Sequence, residues 1–352
     1  MLRKSDLYLS RPKGYNMPKR IKRSMHMEKT GAVKTKEDMI KLLNIALEHE
    51  WAVSFEYTIH AYSMPKGQYF YQDPVMKVRK DSRAQIIQIG IDEMYHALQL
   101  GTIITQMGGI PSFKTDEIVR YPKILDNMKR DKMTEDLVTD LYQSAQIRRG
   151  DYPEIQNMFL NIAQDEVRHS WQFDAMIEAL EQEGAQDALC HQSRPENREK
   201  EEVRLLHEIT RLENELMHRY LKYTFLFSAH QDLSQRLFKN SIDHMRHWDK
   251  NSGILIKWGD VIQIENVETD ADGVERSRNP MPFLYPGEDR LSSLETLPSK
   301  ESALVSRYEQ LLTLIPEGEI REQIEKHLAL DREHIFTADY LIKNAKAVSG
   351  LK

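Results

Sequence analysis

"QIGIDEMYHALQLG" (residues 88–101) decides how the rest of the chain is read. Ile89, Ile91, Met94, Leu98 and Leu100, with Ile86 just ahead, give this stretch the apolar surface of a buried helix. Glu93 and His96 interrupt that surface three residues apart, and so are neighbours on one face. Burying a carboxylate and an imidazole in a helical core is costly unless a partner meets both. A second Glu-x-x-His, within "QDEVRH", sets Glu166 and His169 in the same relation. One such pair is ordinary on a solvated face. Two pairs on separate helices of one bundle point to a shared partner, and a dinuclear metal centre would satisfy all four groups.

Such a centre needs one more glutamate from each of the two remaining helices. On the first helix Glu50 stands seven residues before Tyr57, so the two share nearly one face; Glu48 and Glu56 are rivals. On the third helix, stepping back from Glu166 across the turn near Gly150 reaches Glu135, with Asp136 beside it. Tyr57, Tyr95 and Trp171 fall near these positions. Aromatic residues at helical spacing usually serve packing, and Tyr57 is the candidate redox relay.

The remaining composition narrows the class. The 352 residues are 40% hydrophobic and 30% charged with a formal net charge of -6, the profile of a globular protein with no basic surplus for nucleic acid. A single cysteine, Cys190, excludes a disulfide framework, a zinc ribbon and a C-x-x-C iron site, and fits a reducing, cytoplasmic setting. The chain lacks both a run of eighteen apolar residues and a signal-peptide core, so it is expected neither to span a membrane nor to be secreted.

Apolar spacing predicts helices near 37–63, 79–107, 133–149, 153–181, 200–230, 232–257, 300–315 and 318–346. The expected fold class is all-α: a basic arm over 1–36, a first four-helix bundle over 37–183, a linker over 184–199, and a second bundle over 200–352. The second carries an irregular insertion at 258–298, with a small hairpin expected around Asp272-Gly273. The halves echo each other. "GIDEMYHALQLGTIITQMG" at 90–108 lies over "SIDHMRHWDKNSGILIKWG" at 241–259, and Glu166 and His169 lie over Asp331 and His334. The same register sets Glu50 over Glu215 and Tyr57 over Lys222, which predicts a tandem duplication.

"LEHEWAVSFEYTIHAYSM" and "IDEMYHA" resemble the first two helices of bacterioferritin and its relatives. The likeness includes the spacing of Glu50, Tyr57, His60 and Ala61, and the run from Ile91 to Ala97 apart from Tyr95. "FLNIAQDEVRHSWQF" is similar to the last metal-bearing helix of rubrerythrins. The resemblance covers 37–181 well and the second half more weakly. It implies the ferritin-like superfamily and two irons, or iron and manganese, in the first bundle. Glu50 and Glu135 would then be terminal ligands, Glu93 and Glu166 would bridge, and His96 and His169 would hold one metal each. In the second half His244 stands for Glu93 and Asp331 for Glu166, while His247, His334, Glu215 and Glu301 complete a set suited to a single metal or to a metal-free polar network.

Ligands of this kind suit an oxidase or oxygenase that activates O2 on a small organic molecule, with the insertion and basic arm shaping its entrance. A peroxidase or ferroxidase is the alternative, and a non-catalytic metal-binding scaffold the third. Without cysteine pairs, an external electron donor is expected. Neither nucleic acid nor a membrane is an expected partner, and a homo-oligomer is compatible with the pattern.

Overall fold

The computed structural model describes residues 33–145, 151–282 and 294–348. Almost all of the basic arm lies outside them. α1 (Lys36–Ser63) opens at a capping box, in which Thr35 accepts from the Asp38 N–H and Asp38 accepts from the Thr35 N–H. A hairpin of β1 (Phe70–Gln72) and β2 (Arg79–Asp81) leads into α2 (Ser82–Gln106), where the Asp81 side chain caps the Ala84 N–H. After β3 (Ile118–Arg120) come α3 (Ile124–Ser144) and α4 (Pro153–Gln182), the latter with proline in its first turn. α1 packs along α2 and α3 along α4, with α1 also against α3.

The short α5 (Pro195–Arg198) precedes a second set: α6 (Glu201–Leu226), α7 (Gln231–Lys257), α8 (Leu297–Leu314) and α9 (Glu319–Val348). α6 packs along α7 and α8 along α9, and α6 also meets α8. The two sets share a core rather than owning one each, because apolar residues from α1 to α9 form one continuous cluster. Aromatic rings make the seam. Trp51 meets Phe225 edge-on at 5.3 Å, and Phe55 stacks on Trp248 at 5.6 Å. Gly101 allows the α2–α6 approach, since a Cβ there would stand 2.7 Å from the Phe225 ring.

Two expectations change, and a third holds with an addition. The third helix begins at Ile124 rather than near 133: charged residues hide the periodicity of its first turns, where Ile124, Leu125 and Met128 join Phe173 and Met176 in a smaller, separate apolar cluster of the first half. Residues 79–81 are strand, not helix. The insertion does form a hairpin, with β4 (Glu268–Thr269) paired to β5 (Glu275–Ser277) across a turn where Gly273 takes φ 78°. Its outer partner, however, is β3 of the first half, antiparallel with Ile118 opposite Ser277. Arg120 seals this junction, contacting Glu275 and donating to the Ile262 carbonyl at 2.9 Å. The insertion therefore clasps the two bundles together. Among the described residues no helix is long and apolar enough to cross a membrane.

Candidate metal centre

The four helices of the first bundle each turn glutamate or Glu/His inward at one level. Glu50 comes from α1, Glu93 and His96 from α2, Glu135 from α3, and Glu166 and His169 from α4, none more than 3% exposed. They form two overlapping groups: Glu50, Glu93, His96 and Glu166; and Glu93, Glu135, Glu166 and His169. Within each group one ligand atom per residue lies within 4.8 Å of the others. The shared residues divide their oxygens. Glu93 Oε2 lies 2.8 Å from His96 Nδ1 while its Oε1 lies 2.8 Å from His169 Nδ1. Glu166 likewise sets Oε1 3.1 Å from His96 Nδ1 and Oε2 3.9 Å from His169 Nδ1.

Within this set His96 Nδ1 is hydrogen-bonded to Glu93 Oε2, but most of the inward atoms are not so paired. Glu50 Oε2, Glu93 Oε1, both Glu135 oxygens, Glu166 Oε1 and His169 Nδ1 are buried and make no hydrogen bond. Each buried orphan costs roughly 1–3 kcal/mol, so a set this large is sustained only by a partner that meets them together. The electrostatics agree. Burial, then the neighbouring Glu93, pushes the Glu50 carboxyl up to about 7, and burial with three carboxylates raises Glu166 well above the ordinary range. Burial also opposes the charged form of Glu93, but His96 and His169 hold it below its usual value. Four carboxylates in a dry site cannot all ionise without cations. Divalent ions at the two positions fit this donor set, with carboxylates and imidazoles favouring iron or manganese.

Outer contacts fix the ligands. His169 Nε2 faces Asp92 Oδ2 at 3.3 Å, and His96 Nε2 faces Asp165 Oδ2 at 3.4 Å. These aspartates favour a proton on each Nε2 once a cation occupies the Nδ1 side; Arg168 also lies 3.2 Å from His169 Nε2, and His96 Nδ1 is hydrogen-bonded to Glu93. Arg168 spans the pair, 3.2 Å from Asp92 and 3.0 Å from Asp165. Tyr142 donates to Glu50, a contact that sequence reasoning missed; its signal is the seven-residue spacing from Glu135 on α3. Tyr57 is fully buried, its hydroxyl donating to the Asp131 carbonyl at 3.3 Å beside Glu135.

The rival residues lie elsewhere. Glu48 accepts from Ser112, Glu56 pairs with Arg130, and Asp136 is held by Lys132 at 2.8 Å and by Ser170 at 2.7 Å. Tyr95 and Trp171 are close to half-exposed, with Tyr95 against Phe238 of α7, so neither reaches the ligands. A third buried group, Glu56, His60 and Asp131, is a polar pin: His60 has one ring nitrogen 2.7 Å from Asp131 and the other 2.6 Å from the Val119 carbonyl. Both nitrogens are occupied.

The second bundle repeats the frame with changed donors. His244, His247, Glu301, Asp331 and His334 gather as the sequence predicts, in two groups sharing His244 and Asp331. The α6 carboxylate, however, is Glu213 and not Glu215. Glu215 turns the other way, to Arg219 at 2.9 Å and Lys300 at 3.0 Å. The true register on this helix is two residues earlier, which rotates the expected position by about 200°. The counterpart of Tyr57 is then Tyr220, which donates to Glu301 at 2.7 Å, while Lys222 lies over the Phe113 ring. Tyr308 donates to Glu213 at 2.6 Å as Tyr142 does to Glu50, and Asp243 stands 3.5 Å from His334 Nε2 as Asp92 stands behind His169.

A family model described as Ferritin-like matches residues 43–141, from within α1 to near the end of α3. Over those residues the chain is similar to that family, and its all-α architecture is consistent with a ferritin-like bundle fold. No curated protein and no solved structure is significantly similar to the chain.

Proposed function

We propose that the first bundle is a di-iron, or mixed iron–manganese, oxidoreductase centre that reduces a small oxidant, O2 or a peroxide. One observation carries the reading: Glu93 and Glu166 each turn one oxygen toward either position, amid buried atoms without hydrogen bonds. Two ferrous ions bound there would supply both electrons for one oxidant molecule. The four carboxylates would balance two divalent charges. With cations bound, Asp92 and Asp165 hold the imidazoles in the tautomer that offers Nδ1, and Arg168 couples the two aspartates. Tyr142 orients Glu50, and buried Tyr57 is the candidate relay for electrons from an external donor. Cys190 is no alternative source, because burial pushes its thiol up to about 12.

The sealed ligands favour O2 or peroxide over a bulky substrate. Each of the six residues is at most 3% exposed. Oxidation of a small organic molecule, the reading the fused bundles first suggest, would need an opening at the cluster. The same proposal takes the halves as a tandem duplication, with the matched ligand frames as its support, in a cytoplasmic protein.

Rapid mixing of ferrous-loaded protein with O2 or hydrogen peroxide tests this. The expected result is oxidation of about two irons per chain without added substrate, and its loss in Glu93→Ala. Oxidation that waits for an organic substrate would replace this reading with the oxygenase, and unchanged behaviour of Glu93→Ala would remove the site assignment.

A further inference from the structure

The second cluster differs from the first in which of its atoms are left without partners. Glu213 is fully engaged: its Oε1 accepts from Tyr308 at 2.6 Å and lies 3.2 Å from His247 Nδ1, and its Oε2 lies 2.6 Å from His244 Nδ1. The position bounded by Glu213 and His247 is therefore closed by hydrogen bonds. On the other side of the His244 ring the situation reverses. Glu301 Oε2, both Asp331 oxygens and both ring nitrogens of His334 are buried without a hydrogen bond, although Asp331 Oδ1 lies 3.1 Å from His247 Nδ1. Glu301 and Asp331 are fully buried and His334 is 2% exposed.

We propose that the second bundle holds one divalent first-row metal ion, bound by His244 Nε2, Glu301, Asp331 and His334 Nδ1, with His247 outside the ligand set. These residues form one of the four-residue groups whose ligand atoms lie within 4.8 Å of one another. A neighbouring contact sets the His244 tautomer: its Nδ1–H donates to Glu213, which leaves the Nε2 lone pair facing the ion. His334 has Asp243 3.5 Å from Nε2, on the side away from Nδ1, and neither of its ring nitrogens makes a hydrogen bond. Two imidazoles and two carboxylates suit Mn(II), Fe(II) or Zn(II).

The rival arrangement is metal-free, with a doubly protonated His244 joining Glu213 at 2.6 Å to Glu301 Oε1 at 3.2 Å. That imidazolium satisfies its own two contacts. It leaves Glu301 Oε2, Asp331 Oδ2 and His334 Nδ1 stranded, whereas an ion meets all three. The substitution of His244 for a glutamate thus changes the number of ions and the side on which the remaining one sits. A carboxylate gives an oxygen to each position, but this imidazole has one nitrogen committed to Glu213.

The test uses the full chain loaded with Mn(II), followed by elemental analysis and electron paramagnetic resonance. Glu93→Ala, which empties the first bundle, is expected to retain one Mn(II) per chain with the six-line signal of an isolated ion. Adding His334→Gln to it should abolish that signal, while adding His247→Gln should keep it. Circular dichroism and thermal melting confirm that each variant is folded, and wild type compared with His334→Gln alone should differ by one ion per chain. Glu93→Ala protein that binds no Mn(II) would establish the imidazolium network instead. Loss of the ion on removal of His247 but not His334 would place it on the other side of His244. Either result overturns the proposal.

Discussion

The two bundles set nearly the same frame around different chemistry. Each has a tyrosine on the α1- or α6-type helix beside the opposing glutamate, Tyr57 near Glu135 and Tyr220 on Glu301. Each has a second tyrosine on the first glutamate, Tyr142 on Glu50 and Tyr308 on Glu213, and an aspartate behind the last histidine. What differs is the residue at the centre. Glu93 has two equivalent oxygens, one facing His96 and one facing His169; His244 has two nitrogens pointing opposite ways, one bonded to Glu213. Shortening Glu166 to Asp331 removes a methylene of reach from the second shared ligand. In the proposed reading the frame sets where the ligands stand, and the central side chain sets how many ions they would serve.

The largest break in this comparison should come from Glu93→Ala. Elemental analysis of iron-loaded protein is expected to lose both ions of the first bundle, and retention of either would show that Glu93 does not bridge. The converse exchange is His244→Glu. It restores an oxygen to each side of the second cluster and should raise bound metal by one ion per chain; an unchanged count would mean that Asp331, not His244, limits the site. Asp92→Asn and Asp243→Asn should each weaken affinity about 10–100-fold, the usual cost of losing a histidine's orienting carboxylate, each in its own bundle only. Competition with a chromophoric chelator measures both, and a loss that appears in the opposite bundle would mean the clusters are coupled.

The smallest effect concerns the seam, where His218 lies against Trp51 and Phe55, its Nδ1 donating to the Asn214 carbonyl at 2.8 Å. Burial pulls its imidazole down to about 4, so it stays neutral in the fold while the unfolded chain binds a proton below about 6.5. Stability should therefore fall as pH drops from about 6.5 to about 4, by about 2 kcal/mol at pH 5 from this residue. His218→Leu should flatten that part of the slope in urea unfolding at pH 7 and pH 5. An identical pH dependence in the variant would place the proton elsewhere.

Much of the first site was legible because its signals are local. Glu93/His96 and Glu166/His169 are spacings within single helices, and the level of Glu135 followed from counting residues across one turn. Glu215 misled for the opposite reason. "LENELMHRY" carries two glutamates two residues apart, and sequence likeness favoured the one whose surroundings matched the rest of the half. Only packing separates them: Glu213 is turned to the histidines and Glu215 to Arg219 and Lys300. Tyr142 and Tyr308 escaped notice because their partners lie 92 and 95 residues away in sequence.

The sequence by itself determined the helical class and pointed to most of the side chains that gather in the two buried clusters, since helix periodicity and Glu-x-x-His spacing are properties of neighbouring residues. Tertiary structure alone decided the rotation of α6, the β3–β5 clasp between the halves and the shared core at the aromatic seam. It also decided which buried atoms have hydrogen-bond partners and which do not. That last distinction separates a satisfied polar core from a metal centre, and it exists only once helices distant in sequence have been brought to the same level.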